Sequence, residues 1–185
     1  VTTARDTYAL TIPAPGEHMA YSASMAVAVG EELGLSREEI VRGVAAYEPT
    51  GSRMRVIRLP GGRVLLDDCY NANPQSVTAA LEVLGRTDCE RRVAVLGDMG
   101  ELGETGKELH YETGAHAGDI GIDLVCGIGE LSKELVAGAS EHGCEAKWFP
   151  AKADFLAEMK HLIQPGDNIL VKASHGMQFP EIVDE

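Results

Sequence analysis

Residues 65–76 read LLDDCYNANPQS, and this stretch decides the fold. It opens as a β-forming apolar run without alternation, which is typical of a strand buried on both faces. Asn73 followed by Pro74 is typical of a helix N-cap and a first helical position. The pattern therefore predicts a strand that ends at two carboxylates, Asp67 and Asp68, and a helix that begins soon after them.

Beyond residue 52, strand patterns and helix patterns alternate along the chain. The first two strand patterns flank Pro60, Gly61 and Gly62, which favour a tight turn and hence a hairpin. The alternation predicts an α/β fold with a doubly wound, mostly parallel sheet and one antiparallel edge strand contributed by the hairpin. The predicted strands are 54–59, 63–67, 92–96, 122–126, 146–149 and 168–171, and the predicted helices are 74–85, 104–117, one from about 130, and 152–162.

The first part of the chain has a different pattern. Residues 8–12 form a strand candidate, and two helices are predicted over 18–33 and 36–47, the second with a capping box between Ser36 and Glu39. A Pro/Gly/Ser-rich patch then separates this helical segment from the strand-rich remainder. We therefore divide the chain into a helical segment, 1–48, and an α/β domain, 49–185.

Composition excludes several functional classes. The 185 residues carry 29 acidic and 16 basic side chains, a net charge of -13, which argues against binding to a phosphate backbone. The longest apolar stretch is far shorter than the roughly 20 residues that span a bilayer. We therefore expect no nucleic acid or membrane partner, and we expect a cytoplasmic location. Because the chain begins with Val1, we expect a piece of a longer protein.

The four cysteines and six histidines do not indicate a metal site. No C-x-x-C pair occurs, and His110 and His116 are six residues apart, which does not stack two ligands on one helical face. Each cysteine lies in or beside an apolar run. We expect free, buried or half-buried thiols and no metal bound by this chain.

Polar residues follow several of the predicted parallel strands. Because the carboxyl ends of such strands meet at one edge, which is where open α/β sheets bind ligands, these residues are expected to converge. Each also has a local interpretation: Asn73 as a helix cap, and Asp98 or Lys172 as strand-end residues. Successive strand residues face opposite sides, so only one of Asp67 and Asp68 can enter the crevice. The converging set is Asp68, Asn71, Asn73, Asp98, Lys172, Ser174 and His175.

Three motifs carry a resemblance to a known family. They read LDDCYNANP at 66–74, VLGDM at 95–99 followed by ELG at 101–103, and VKASHGM at 171–177. In this order they resemble the C-terminal region of the Mur ligases, and the resemblance extends from His18 to the end of the chain. It implies that 1–48 is the incomplete end of a central ATPase domain and that 49–185 is a complete Rossmann-like C-terminal domain.

The resemblance also implies a reaction. It is strongest to the branch of the family in which ATP and Mg²⁺ drive amide formation between UDP-MurNAc-tripeptide and D-Ala-D-Ala, in peptidoglycan precursor synthesis, and it implies a monomer. The phosphate loop and most magnesium ligands would lie upstream, so no complete catalytic set is expected here and the chain alone is expected to be inactive. The residues implied at the nucleotide are His18, Arg53 and Asp68, and those implied at the dipeptide are Asn71, Asn73, Ser174 and His175.

Two motifs differ from the family pattern, each at two positions. The family usually has asparagines one and four residues after a motif histidine, here His18, and this chain has Met19 and Ser22 at those positions. The final motif has Ala173 and His175 where the family usually has Gly and Arg. Two other hypotheses stay open. One is a receiver-like phosphoacceptor domain, with Asp67 and Asp68 at a magnesium ion, Asp98 as acceptor and Lys172 beside it. The other is a binding module without catalytic function.

Overall fold

The computed structural model describes all 185 residues and divides them into two compact units, Val1–Thr50 and Gly51–Glu185. The first unit contains helix α1, Met19–Glu32, and helix α2, Arg37–Ala45. The predicted capping box opens α2: the Ser36 hydroxyl accepts from the Glu39 N–H, and the Glu39 carboxylate accepts from the Ser36 N–H at 2.8 Å. Both predicted helices are confirmed.

The predicted strand at residues 8–12 is wrong. The first unit contains a single bridge, between Thr2 and Thr7, and residues 8–12 have no neighbouring strand with which to pair. Tyr8 instead packs against Val27 and Ile40 in a small apolar cluster, while its hydroxyl donates to Glu31 at 2.9 Å. An apolar run without a partner strand therefore becomes a packed segment.

Helix α1 is apolar on two sides. Ala23, Val27 and Gly30 are buried within the first unit. A second row, spaced four residues apart, is 58% to 77% exposed. A helix that is apolar all round is typical of the interior of a larger domain. The exposed row consists of Tyr21, Met25, Val29 and Leu33.

The second unit is a six-stranded sheet in the order β1-β2-β6-β3-β4-β5. All neighbouring strands are parallel except β1 and β2, which form the predicted antiparallel hairpin. The predicted α/β fold class is thus confirmed. The strands are β1 Arg55–Arg58, β2 Val64–Asp67, β3 Arg91–Gly97, β4 Leu124–Ile128, β5 Glu145–Phe149 and β6 Asp167–Lys172, and the helices are α3 Pro74–Gly85, α4 Gly106–Asp119, α5 Ser132–Glu141, α6 Lys152–Leu162 and α7 Pro180–Val183.

Helices cover both faces of this sheet, so its central strands are apolar on both sides. On one face, Leu66 and Leu170 pack in a core that includes residues of α3, α4 and α5. On the other, Leu65, Ile169 and Val171 pack in a core that includes residues of α6 and α7. This arrangement explains why the strands read as continuous apolar runs. No helix of the structure combines the length and apolar content needed to cross a bilayer.

Strand β4 lies two residues later than predicted, at Leu124–Ile128 instead of 122–126. The strand includes Gly127, where a Cβ atom would lie 2.6 Å from Val136 and 2.8 Å from the Ser132 carbonyl oxygen. Glycine is required there because α5 passes directly over the strand. A residue that usually marks a turn therefore lies inside the sheet.

Candidate functional site

The loops after β2, β3 and β6 meet at the carboxyl edge of the sheet, because β6 lies between β2 and β3. Ser174 joins all three loops. Its hydroxyl accepts from the Gly100 N–H at 2.7 Å and lies 3.4 Å from the Ala72 carbonyl oxygen, and its N–H donates to the Asp98 carbonyl at 3.2 Å. Ser174 therefore holds the edge together as a crosslink between loops.

Asp68 is bound through both carboxylate oxygens. Oδ1 accepts from the Met54 N–H at 3.0 Å, and Oδ2 lies 2.5 Å from Nζ of Lys172. The Asp68 side chain is 16% exposed and that of Lys172 is 3% exposed. The same ammonium group donates to the Asn71 carbonyl at 2.8 Å. The carboxylate is thus held in one orientation at the crevice, with part of its surface open.

Asp67 lies apart from this network. It is fully buried, and its Oδ2 is 3.1 Å from a guanidinium nitrogen of Arg55, the residue opposite it on β1. That ion pair lacks hydrogen-bond geometry, since Oδ2 has no hydrogen-bond donor, while Oδ1 lies 3.4 Å from the Cys69 N–H. Asp67 is therefore a buried carboxylate paired with the half-exposed Arg55 across the hairpin, whereas Asp68 reaches the crevice.

The two asparagines use their carbonyl oxygens locally. Asn71 Oδ1 accepts from the Ala72 N–H at 2.9 Å. Asn73 Oδ1 accepts from the Ser76 N–H at 2.8 Å, and the Ser76 hydroxyl accepts from the Asn73 N–H, which completes a capping box at α3. Both side chains stay exposed, and their amide NH₂ groups are donors available to a ligand.

We expect replacement of the Asn73 cap by Ala to lower the free energy of unfolding by about 0.5–2 kcal/mol. Asn73→Ser should restore most of that loss, because a serine hydroxyl can accept from the same N–H. Urea denaturation of the three proteins measures both differences. Equal stability of the Ala and Ser variants would contradict a capping role.

Three exposed side chains stack beside the crevice. The Arg53 guanidinium carbon lies 3.8 Å above the centre of the Tyr70 ring, and the Tyr70 and His175 rings are 5.7 Å apart. Stacking orients a guanidinium while leaving its N–H groups free to bind an oxyanion. The arrangement places a donor fork and an imidazole next to Tyr70.

His18 lies in the other unit, so the site of the second unit is described without it. It is the N-cap residue of α1, is exposed, and makes no side-chain capping hydrogen bond. Among the other predicted residues, the structure brings Arg53 and His175 together through Tyr70, and links Asp68 to Asn71 through Lys172.

Asp98 is engaged in structural contacts. Its Oδ1 accepts from both the N–H and the hydroxyl of Ser132, each at 2.7 Å, at the start of α5. Lys172 contacts Asp68, and Asp67 faces Arg55. No group of three or more His, Cys, Asp or Glu residues is arranged to hold a metal ion. The geometry therefore does not support the receiver-like hypothesis.

Sequence reasoning left Tyr70 outside the predicted set and placed Lys172 at the sheet edge without identifying its partner. That partner, Asp68, is 104 residues away. Tyr70 lies between two predicted residues, but nothing in the sequence shows that Arg53 covers its ring. In both cases the missing information is a long-range contact.

A cavity lies elsewhere in the second unit. It has a volume of about 420 Å³ and is lined mainly by apolar side chains near α6 and the hairpin turn, including Leu59, Phe155 and Ile182. None of the predicted site residues lines it. The candidate site is an open crevice at the edge of the sheet and is separate from this cavity.

The four cysteines are free, as expected. Burial raises the pKa of Cys126 to about 12 and that of Cys144 to about 11. Burial, followed by the nearby Asp67 carboxylate, raises the pKa of Cys69 further. Because thiolates are the reactive form, these three thiols are expected to be inert in the folded protein, whereas Cys89 is partly exposed.

We expect only Cys89 to react rapidly with a chromogenic disulfide at pH 8, and the remaining three thiols to react after unfolding. Fast reaction of more than one thiol in the native protein would contradict this expectation.

The buried thiols also lower stability at high pH. Above a pH of about 8.5 the unfolded chain releases thiol protons that the native state retains, so the free energy of unfolding falls as the pH rises towards 11–12. Cys126→Ala should reduce the slope of that decline by the equivalent of one proton.

The fold defines a Rossmann-like α/β domain, and the crevice at the carboxyl edge of its parallel strands is a candidate ligand site. The family model of the Mur ligase glutamate ligase domain matches residues 52–175. The chain therefore belongs to the Mur ligase family.

Curated relatives and a solved structure agree with this family membership. The UDP-N-acetylmuramoyl-tripeptide--D-alanyl-D-alanine ligase of Bacillus subtilis is 34% identical over 94% of this chain and 39% of its own length. The Escherichia coli enzyme of the same name is 35% identical over 93% of this chain and 37% of its own length. The crystal structure of MurF from Acinetobacter baumannii superposes with a TM-score of 0.89 at 30% identity, covering 98% of this chain and 40% of that one. The chain thus spans about two fifths of the length of these relatives.

Proposed function

We propose that this chain is the C-terminal part of an ATP-dependent ligase that joins D-Ala-D-Ala to UDP-MurNAc-tripeptide in the cytoplasm. The observation that carries the proposal is its similarity to the Bacillus subtilis ligase of that specificity, 34% identical over 94% of the chain. The motif residues of the crevice, from Arg53 to His175, lie within the matched domain.

In the proposed reaction, a phosphoryl group passes from ATP to the terminal carboxylate of the tripeptide. The amine of D-Ala-D-Ala then attacks the acyl phosphate, phosphate leaves, and an amide bond forms. A site for this reaction needs donors for phosphate and carboxylate groups and a fixed geometry between two substrates. The crevice offers both kinds of feature.

On the nucleotide side we assign Arg53, Asp68 and His18. The stacked guanidinium of Arg53 supports this assignment, because its hydrogen-bond donors have no partner within the chain. Asp68, whose orientation is fixed by Lys172, is an acceptor suited to hydroxyl groups. His18 is assigned from the family motif alone.

On the acceptor side we assign Asn71, Asn73, Ser174 and His175. Free amide NH₂ groups of both asparagines support an anion site, because a carboxylate needs several donors. Ser174 acts there through the loops that it crosslinks. His175 replaces the usual arginine, so it supplies a single-point contact in place of a bidentate one.

We assign residues 1–48 to the end of a central ATPase domain. The exposed apolar row on α1 supports this, because the remainder of such a domain would cover it. Since the chain has no cluster of ligands for a metal ion, the proposal places the Mg²⁺ ligands and the phosphate loop in the preceding part of the longer protein.

The test is ligation by the longer protein that contains this chain. We expect an amide product and stoichiometric phosphate only when ATP, Mg²⁺, UDP-MurNAc-tripeptide and D-Ala-D-Ala are all present. Tripeptides ending in lysine and in diaminopimelate are both supplied, with D-Glu or D-Ala as control acceptors. ATP turnover without ligation, or equal use of the control acceptors, would refute the proposed specificity.

The 185-residue chain alone should neither hydrolyse ATP nor ligate, because it lacks a loop that cradles the triphosphate. A coupled phosphate assay at millimolar ATP measures this, with the longer protein as the positive control. Steady turnover by the chain alone, lost in Asp68→Ala, would contradict the expectation.

A further inference from the structure

Lys172 is a buried cation to which the proposed reaction assigns no contact with a substrate. It is the last residue of β6, and its side chain is 3% exposed. Its ammonium group reaches two acceptors on the loop after β2: Asp68 Oδ2 at 2.5 Å and the Asn71 carbonyl at 2.8 Å. One buried charge therefore holds two points of a neighbouring loop.

These two points belong to different halves of the proposed site. Asp68 is assigned to the nucleotide and Asn71 to the acceptor dipeptide. The Asp68 carboxylate is further fixed by the Met54 N–H, which ties it to the segment that follows Arg53. One ammonium group thus contacts a residue assigned to each of the two substrates.

Stability alone does not explain a lysine at this position. An apolar residue of similar volume fills such a site without the desolvation of a charge, and buried ion pairs contribute little net stability relative to apolar replacements. What an apolar residue cannot do is fix an acceptor oxygen and a loop carbonyl at set distances. The contribution of the ammonium group is therefore geometric.

We propose that Lys172 is a positioning residue that sets Asp68 and Asn71 in register, so that the nucleotide and the incoming amine are aligned. The inference rests on the proposed ligase function for its kinetic consequence. Its structural consequence, the order of the loop at residues 69–73, does not depend on that function.

The same strand provides a matched control. At the opposite end of β6, Asp167 is 2% exposed and pairs with Arg91 at 3.0 Å. Asp167→Asn and Lys172→Met each remove the more buried partner of an ion pair and leave a partner that is 23% or 16% exposed. Both variants should be less stable than the wild type, but only the substitution of Lys172 lies at the crevice.

The first measurement uses the longer protein below the melting temperature of both variants. We expect Lys172→Met to lower kcat/KM at least tenfold for both ATP and D-Ala-D-Ala, and Asp167→Asn to change either value less than threefold. Equal kinetic losses in the two variants would overturn the inference, since a purely structural pair predicts that result.

The second measurement uses amide hydrogen exchange in the 185-residue chain. Amides of residues 69–73 should exchange at least tenfold faster in Lys172→Met than in Asp167→Asn. Amides of α4 should exchange at equal rates in the two variants. Wild-type exchange in the loop of Lys172→Met would overturn the inference. If the wild-type longer protein does not ligate, the proposed function fails, and the exchange result decides the role of Lys172.

Discussion

Gly114→Ala is expected to lower the free energy of unfolding by at least about 3 kcal/mol. Helices α4 and α5 cross so closely that a Cβ atom at Gly114 would overlap the Leu135 carbonyl oxygen. A Cβ atom at Gly138 would overlap the Tyr111 carbonyl in the same way. Because both obstacles are backbone atoms, no rotamer change relieves the overlap, and the helices must separate.

Thermal unfolding followed by circular dichroism measures this effect, and we expect a decrease in melting temperature of about 10 °C. Gly85→Ala is the control, since a Cβ atom there would lie 3.5 Å from Ile120, an ordinary contact. That variant should stay within about 1 kcal/mol of the wild type. If Gly114→Ala melts together with Gly85→Ala, the helices are farther apart than described.

The α4–α5 contact also shows where sequence reasoning about the fold ends. Continuous apolar runs predicted the buried strands, because burial on both faces leaves that signal. The turn residues at 60–62 predicted the hairpin. The glycines of α4 and α5 have no such signal, since close packing between two backbones depends on residues far apart in sequence. The position of Gly127 inside β4 and the structure of residues 8–12 also depend on distant residues. Helix α5 excludes a side chain at Gly127, and residues 8–12 have no partner strand.

The candidate site divides in a similar way. The position of Asp68 at a strand end and the capping pattern at Asn73 are local features, and the structure shows both. The role of Ser174 as a crosslink, and the network around Lys172, depend on contacts across about 100 residues. Local chemistry therefore identified the crevice, while the contacts that order it required the structure.

Asp68→Asn in the longer protein is expected to lower turnover at least tenfold, about 1.4 kcal/mol of activation free energy. The carboxylate is assigned to the nucleotide and is held by two donors at the crevice. Stability should fall as well, because Lys172, at 3% exposure, loses its counter-charge. The loss of activity must therefore be separated from the loss of stability.

Two further variants make that separation. Asp67→Asn removes a buried charge from an ion pair with Arg55, whose side chain is 54% exposed and is then hydrated by solvent. We therefore expect the free energy of unfolding to fall by about 1–2 kcal/mol and turnover to change less than threefold. Asp68→Asn combined with Lys172→Met removes both charges of the crevice pair and should recover stability while turnover stays low. Full activity in that double variant, or inactivation by Asp67→Asn alone at unchanged stability, would show that the wrong carboxylate has been assigned to the nucleotide.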